Sequence, residues 1–484
     1  MSEFKQRLGL LDATSIVAGS MIGSGIFLVS STMARDLGSS GWLMVAWILS
    51  GAITLAAALS YGELAGMMPE AGGQYVYIRR AWGKIPAFLY GWTVFSVIQT
   101  GVIAAVATAF ANYTSELIPA LASKYVIADF GLFSITRAHL VAVASILLLT
   151  WLNTRGVQGG AWIAKIFTSA KLLALFALII LGLYVGFSHD TLSLNFTDSW
   201  SASRTFETDS GWVNEPLVGM GLIAALGFTM INSLFSSDAW NNVTFIAGEI
   251  REPHKNIPRS LILGTAIVTA LYLLANIAYL ALLPLKGNPE GAEVMSRGIQ
   301  FAEQSRIGSA AATVIFGNIA SAMMAVLIMV STFGCNNGII LAGGRLFYAM
   351  SKDGLFFPRA GKLNSNSVPS WALWAQAVWA CALCFSGKYG DLLSYATFAS
   401  LIFYIVTISG IFKLRKTEPL APRPYKALGY PLIPALYIIA ATLICIDLLF
   451  MDARNSGLGL ALVGLGFPLY FVVNRLTSVK PKSE

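Results

Sequence analysis

The run Ala18-Gly-Ser-Met-Ile-Gly-Ser-Gly-Ile-Phe27 lies inside an apolar stretch from Leu10 to Ala34. That stretch is long enough to cross a bilayer as a helix. Yet Gly19, Gly23 and Gly25, with Ser20 and Ser24, are poor helix formers placed at its middle. Hydrocarbon offers backbone groups no partner, so backbone that leaves a membrane helix must be buried in protein or line a wet cavity. The segment therefore reads as a broken membrane helix whose second half starts near Ser24. The N–H groups at such a start form a ready anion site. Small residues there let a carboxylate come close to the backbone.

The rest of the chain supplies the membrane context. Only 12% of its residues are charged and 56% are hydrophobic, whereas a soluble domain carries roughly 25% charged residues. Twelve apolar segments have spanning length, at about 10–34, 42–67, 86–118, 135–152, 161–187, 215–249, 260–284, 309–341, 370–386, 391–412, 432–450 and 457–474. The sixth carries the run Phe235-Ser-Ser-Asp-Ala-Trp-Asn-Asn242, which does not belong in lipid. The first and sixth segments are the interrupted ones. Each is followed by four further spans, and the last two stand outside this pattern. Paired interruptions in corresponding positions of two halves point to a transporter built from inverted repeats. One membrane domain over 1–484 then divides into a first repeat at about 10–187, a second at about 215–412, and two closing helices at about 432–474.

The formal net charge of +8 implies no nucleic acid, because the basic residues sit in short loops between apolar segments. Loops with Arg79, Arg80 and Lys84, with Arg251, Lys255 and Arg259, and with Lys413, Arg415, Lys416, Arg423 and Lys426 fall on one side, together with the N-terminus. The positive-inside rule makes that side cytoplasmic, with both termini inside and a multi-pass chain in the plasma membrane. The start of the chain runs straight into a full span, so no cleavable signal peptide is expected. Cys381-Ala-Leu-Cys384 lies within an apolar segment and reads as packing. His139, His189 and His254 have no metal-ligand spacing. No nucleophile–base pair is evident at membrane depth. An enzyme, a cofactor and a metal are therefore not expected, and one long asymmetric chain suits a carrier better than a channel. Asn112-Tyr-Thr114 and Asn195-Phe-Thr197 match the glycosylation pattern as readily by chance as by design.

Several stretches together resemble the amino acid–polyamine–organocation transporter superfamily. Ile22-Gly-Ser-Gly-Ile-Phe27 is similar to its first-helix signature. Tyr61-Gly-Glu-Leu-Ala-Gly-Met-Met-Pro-Glu-Ala-Gly-Gly-Gln-Tyr75 looks like its second-helix exit. Glu249-Ile-Arg-Glu-Pro-His-Lys-Asn-Ile-Pro-Arg259, Gly344-Arg-Leu-Phe-Tyr-Ala-Met-Ser-Lys-Asp-Gly-Leu355 and Arg423-Pro-Tyr-Lys-Ala-Leu-Gly-Tyr-Pro431 look like its later loops. Thr168-Ser-Ala-Lys-Leu-Leu-Ala-Leu175 resembles the fifth helix of the L-amino-acid transporter branch, in its bacterial form. The resemblance implies an all-α polytopic leucine-transporter-type fold of two inverted five-helix repeats plus two helices. Animal members of that branch hold a heavy chain through a cysteine between the third and fourth helices. The loop Ser115 to Arg137 has none, so no heavy-chain subunit is expected.

The resemblance also implies a site. Ser24, Gly25 and Ile26, after Gly23, would offer N–H groups to a substrate carboxylate, and Met21 and Ile22 carbonyls to its ammonium. Phe235 would be an aromatic gate, and carbonyls near Phe235 and Ser236 would share the ammonium. Asp238 is either a functional carboxylate or a cap on the unwound backbone. Lys171 lies about ten residues into its helix, roughly 15 Å along the axis, and would stand where sodium-coupled relatives hold a cation. Glu63, Glu249 and Arg79 read as solvated interfacial charges, with an inner gate as the alternative. The expected function is sodium-independent exchange of neutral L-amino acids by alternating access. The alternatives are proton-coupled symport, or carriage of a cationic amino acid or polyamine.

Overall fold

The computed structural model describes residues 6, 8–130, 134–155, 157–385 and 389–478. The first apolar segment forms two helices, α1 (Leu10–Met21) and α2 (Val29–Leu37), with a single 3-10 turn at Gly25–Phe27 between them. Gly38, at φ +55°, ends α2 in a conformation that favours glycine. Ser39 then caps α3 (Ser40–Met67), its hydroxyl accepting from Trp42 N at 3.2 Å. A short helix α4 (Gln74–Trp82) leads into α5 (Lys84–Thr93) and α6 (Gln99–Leu117), joined by a π-helical turn at Val94–Ile98. Two short strands, β1 (Val126–Asp129) and β2 (Ser134–Thr136), precede α7 (Arg137–Thr154) and α8 (Val157–Gly186).

The second half opens with α9 (Thr191–Thr197) and an antiparallel hairpin of β3 (Ser203–Thr208) and β4 (Gly211–Pro216). The sixth segment thus starts at Met220, five residues later than its hydropathy predicts, because 211–216 pair as a strand. It forms α10 (Met220–Ser236) and, after a break, α11 (Asn242–Phe245). Then come α12 (Pro253–Leu282), α13 (Val294–Arg297), α14 (Ile307–Phe316), α15 (Asn318–Lys352), α16 (Ser370–Cys384), α17 (Tyr389–Thr417), α18 (Leu432–Met451) and α19 (Ala453–Ser478). The eighth predicted span is two helices, parted at Gly317 with φ +72°.

Among the described residues, nine helices are long and apolar enough to cross a membrane. The remaining predicted spans are the shorter or broken helices. Apolar side chains such as Leu173, Ile180, Leu443 and Phe450 point outward and are exposed, the arrangement expected where lipid is the solvent. The centre is polar by contrast: Lys171, Asn276 and Gln376 are almost wholly buried. A buried polar group costs stability unless it is bonded, so these residues mark where the fold keeps its chemistry.

Asn195 answers one sequence question. Its Nδ2 donates to the carbonyls of Leu280 and Leu283, and its Oδ1 accepts from Leu285 N at 2.7 Å. That side chain is committed to the fold, so the glycosylation pattern there is a chance match.

Candidate functional site: two broken helices around one cavity

The break in the first helix leaves the carbonyls of Gly19, Ser20, Met21 and the following Ile22 without intrahelical partners, as at any helix end. Each is met by a side chain. The Lys171 ammonium donates to Gly19 O and, at 2.8 Å, to Ile22 O. Cys335 Sγ donates to Ser20 O at 3.2 Å, and Ser331 Oγ to Ile22 O at 3.4 Å. The Tyr272 hydroxyl lies 3.0 Å from both Met21 O and Ser236 O, one carbonyl from each broken helix. Lys171 is only 1% exposed. Its four methylenes cross the apolar packing of α8 and bring the charge to the negative end of α1, which suits a cation.

Beyond the break, the first backbone bond of the new helix is made by Phe27 N to Ser24 O at 3.1 Å. The N–H groups of Ser24, Gly25 and Ile26 precede it and stand at the positive end of the second half-helix. The second break lies beside this turn. It runs from Ser237 to Asn241, with Ala239 at φ +63°. A methyl group added at Gly25 would come within 2.2 Å of Ser236 Oγ and 2.9 Å of Ser236 Cα. The glycine is therefore needed for the two broken helices to touch. Gly25→Ala is expected to lose about 1–3 kcal/mol of stability by overpacking and most of its transport. Thermal melting of the purified variant beside transport at matched expression checks both.

A cavity of about 50 Å³ lies between the breaks. Of the residues singled out in the sequence, Met21, Gly23, Ser24, Gly25, Phe235, Ser236 and Asp238 line it. Ile22 and Ile26 have fully buried side chains that belong to the core. Lys171 reaches the break from behind. Asp238 Oδ1 accepts from the Tyr404 hydroxyl at 2.5 Å. The cavity wall also holds residues the sequence reading passed over: Gln74, Gln99, Asn242, Ser400 and Tyr404. Cys335 is both buried and part of this wall. Gln74 and Asn241 are bonded to each other at 3.1 Å, and Gln74 donates to Thr407 Oγ1 at 3.0 Å. This chain ties the start of α4, the second break and α17 together beneath the cavity.

The solvated reading of Glu63 is overturned. Its side chain is 1% exposed and sits in a pocket of donors. Arg415 donates two bonds, at 2.9 and 2.6 Å, Arg423 Nε donates at 3.2 Å, and the Ala427 N–H at 2.7 Å. Glu249 pairs with Arg345 at 2.6 Å, and the Arg345 side chain is 3% exposed. Leu8 pairs with the backbone of Glu249 and Arg251. Arg79 pairs with Asp353, which also accepts from the Tyr75 hydroxyl at 2.8 Å. These contacts link the bundle at the face that carries the start of the chain. On the same face, outside the spans, the Arg80 guanidinium holds the Glu418 carboxyl below its usual range.

Among the described residues, no group of three or more His, Cys, Asp or Glu side chains is placed to hold a metal ion. The profile of the amino acid permease family matches residues 8–468. The "Large neutral amino acids transporter small subunit 2" of Mus musculus is 30% identical over 97% of this chain and 81% of its own length. The "Serine/threonine exchanger SteT" of Bacillus subtilis is 29% identical over 96% of both chains. The "b(0,+)-type amino acid transporter 1" of Mus musculus is 27% identical over 92% of this chain and 82% of its own. With two broken helices meeting at one buried cavity, and a family profile covering nearly its whole length, this multi-pass membrane protein belongs to the amino acid permease family, with the leucine-transporter-type fold.

Proposed function

We propose that the chain is a sodium-independent exchanger of neutral L-amino acids that works by alternating access. One observation carries the sodium independence. The Lys171 ammonium is bonded to the carbonyls of Gly19 and Ile22, and unwound carbonyls are the groups that coordinate sodium in transporters of this architecture. A fixed charge in that position leaves a mobile cation nothing to neutralise. The relatives' names, a large neutral amino acids transporter and a serine/threonine exchanger, agree with the substrate class.

In this reading the carboxylate of the zwitterion binds the N–H groups of Ser24, Gly25 and Ile26. Its ammonium binds carbonyls at the facing ends, with Met21, Ile22, Phe235 and Ser236 as the set. Tyr272 narrows the choice. A hydroxyl has one proton, so it serves either Met21 O or Ser236 O and leaves the other lone pairs for a substrate. Phe235 closes over the bound molecule. The repeats, about 10–187 and 215–412 with closing helices at 432–474, supply one broken helix each. The basic loops support both termini in the cytoplasm, and the membrane in this reading is the plasma membrane. The ion pairs of Glu63, Glu249 and Asp353 then form the inner closure. The chain acts without a heavy subunit and is not an enzyme.

One observation favours a second reading, proton-coupled symport: Asp238 lines the cavity, half-buried, and is bonded to a tyrosine rather than to a cationic side chain. Thermal melting in sodium-free buffer tests the site itself. A neutral amino acid at about 100 times its Kd stabilises the folded protein by about 2.7 kcal/mol, so alanine, serine or leucine is expected to raise the melting temperature without sodium. No shift with any of them, or a shift only when sodium is added, contradicts the proposal.

A further inference from the structure

We propose that the recess beside Asp238 selects a small side chain bearing a hydroxyl group, so that among neutral amino acids serine and threonine are the preferred substrates. The inference rests on the amino-acid-carrier reading and deepens it. Its evidence is a set of buried polar atoms without partners. Asn242 Nδ2 and Ser400 Oγ have no hydrogen-bond partner, and both residues line the cavity between the broken helices. Asp238, Ser400 and Tyr404 also line an adjoining recess, where Thr397 Oγ1 is likewise without a partner. Asn242, Ser400 and Thr397 are each no more than 5% exposed.

A buried polar group left unbonded costs about 1–3 kcal/mol. A ligand that bonds these atoms recovers that cost, and one that cannot leaves it in place. The chemistry they demand is specific. Asn242 Nδ2 only donates, the serine and threonine hydroxyls donate or accept, and an ionised Asp238 only accepts. A ligand hydroxyl both donates and accepts, so it can bond the Ser400 and Thr397 hydroxyls as well as the carboxylate and the amide. An aliphatic side chain bonds none of them. A guanidinium or ammonium has donors alone and leaves Asn242 Nδ2 unbonded. Size points the same way. The recess measures about 20 Å³, and a single water molecule needs roughly 10–15 Å³, so it suits a small side chain.

Threonine and valine have nearly the same shape and differ by the hydroxyl. Labelled threonine, valine, leucine and lysine are offered to proteoliposomes of the full chain preloaded with serine. A site built to bond a hydroxyl discriminates strongly against the analogue lacking it, so threonine uptake is expected to exceed valine uptake by about tenfold or more. The double variant Ser400→Ala, Thr397→Val is expected to bring the two within about threefold. A melting curve matching that of the unaltered chain shows that the variant folds. Equal uptake of threonine and valine by the unaltered chain, a preference for leucine, or a preference for lysine overturns the selection proposed here while leaving an amino-acid carrier. An unchanged threonine-to-valine ratio in the double variant overturns the assignment to these residues. Uptake of none of the four amino acids defeats the carrier reading itself.

Discussion

Lys171→Ala is expected to lower amino-acid exchange by more than about a hundredfold, a loss of roughly 2.7 kcal/mol at about 1.36 kcal/mol per factor of ten. The magnitude follows from the bonds removed. The ammonium donates to Gly19 O and Ile22 O, both inside the protein at the break. Hydrogen bonds to a charged group contribute about 1.5–3 kcal/mol each. Alanine removes both and leaves two carbonyls at the negative end of α1 facing a void. The break can then relax in many ways, and only some preserve the alignment of Met21 and Gly25 with Ser236. Lys171→Arg keeps the charge, but its planar fork does not reproduce a compact ammonium, so exchange should recover only in part. Exchange rates at matched protein content, beside a melting curve for each variant, are the measurement. Exchange within about threefold of the unaltered chain for Lys171→Ala would remove the lysine from the mechanism.

Glu63→Gln is the second large effect, and it falls on stability. Four donor contacts converge on this carboxylate, from Arg415, Arg423 and the Ala427 N–H. An amide keeps the shape but removes the charge and turns one acceptor into a donor facing guanidinium N–H groups. Breaking a buried pair by removing one partner costs about 3–5 kcal/mol, because the remaining charge is left uncompensated. The expected result is a clear fall in the melting temperature in detergent, without loss of membrane insertion. Because Glu63 joins α3 to α17 and the loop that follows it, exchange should also fall. A variant that melts with the unaltered chain would return Glu63 to the class of solvated charges.

The apolar segments were legible because length and hydropathy alone decide whether a helix can cross a bilayer. Both breaks were legible too, since Gly23-Ser-Gly25 and the run after Phe235 contradict their surroundings. Lys171 stood out as a charge ten residues into an apolar segment. What escaped depended on partners far along the chain. Glu63 looked solvated because its partners are 352 and 360 residues away. Tyr272, Gln74 and Gln99 are single polar residues in apolar or mixed stretches, and no spacing marks the first as meeting both breaks or the other two as facing the cavity. The β3–β4 hairpin escaped because its alternation is short and merges with the apolar start of α10.

Sodium-independent exchange is the central claim, and counterflow in proteoliposomes tests it most directly. Vesicles containing the full chain are loaded with unlabelled serine or left empty, and labelled serine is added outside. The addition is made in sodium-free buffer, with an inward sodium gradient, or with an inward proton gradient. Exchange braced by Lys171 predicts that uptake depends on internal amino acid and is the same with and without sodium. Uptake into empty vesicles driven by sodium alone would contradict it, and uptake driven by the proton gradient would transfer the coupling to a proton.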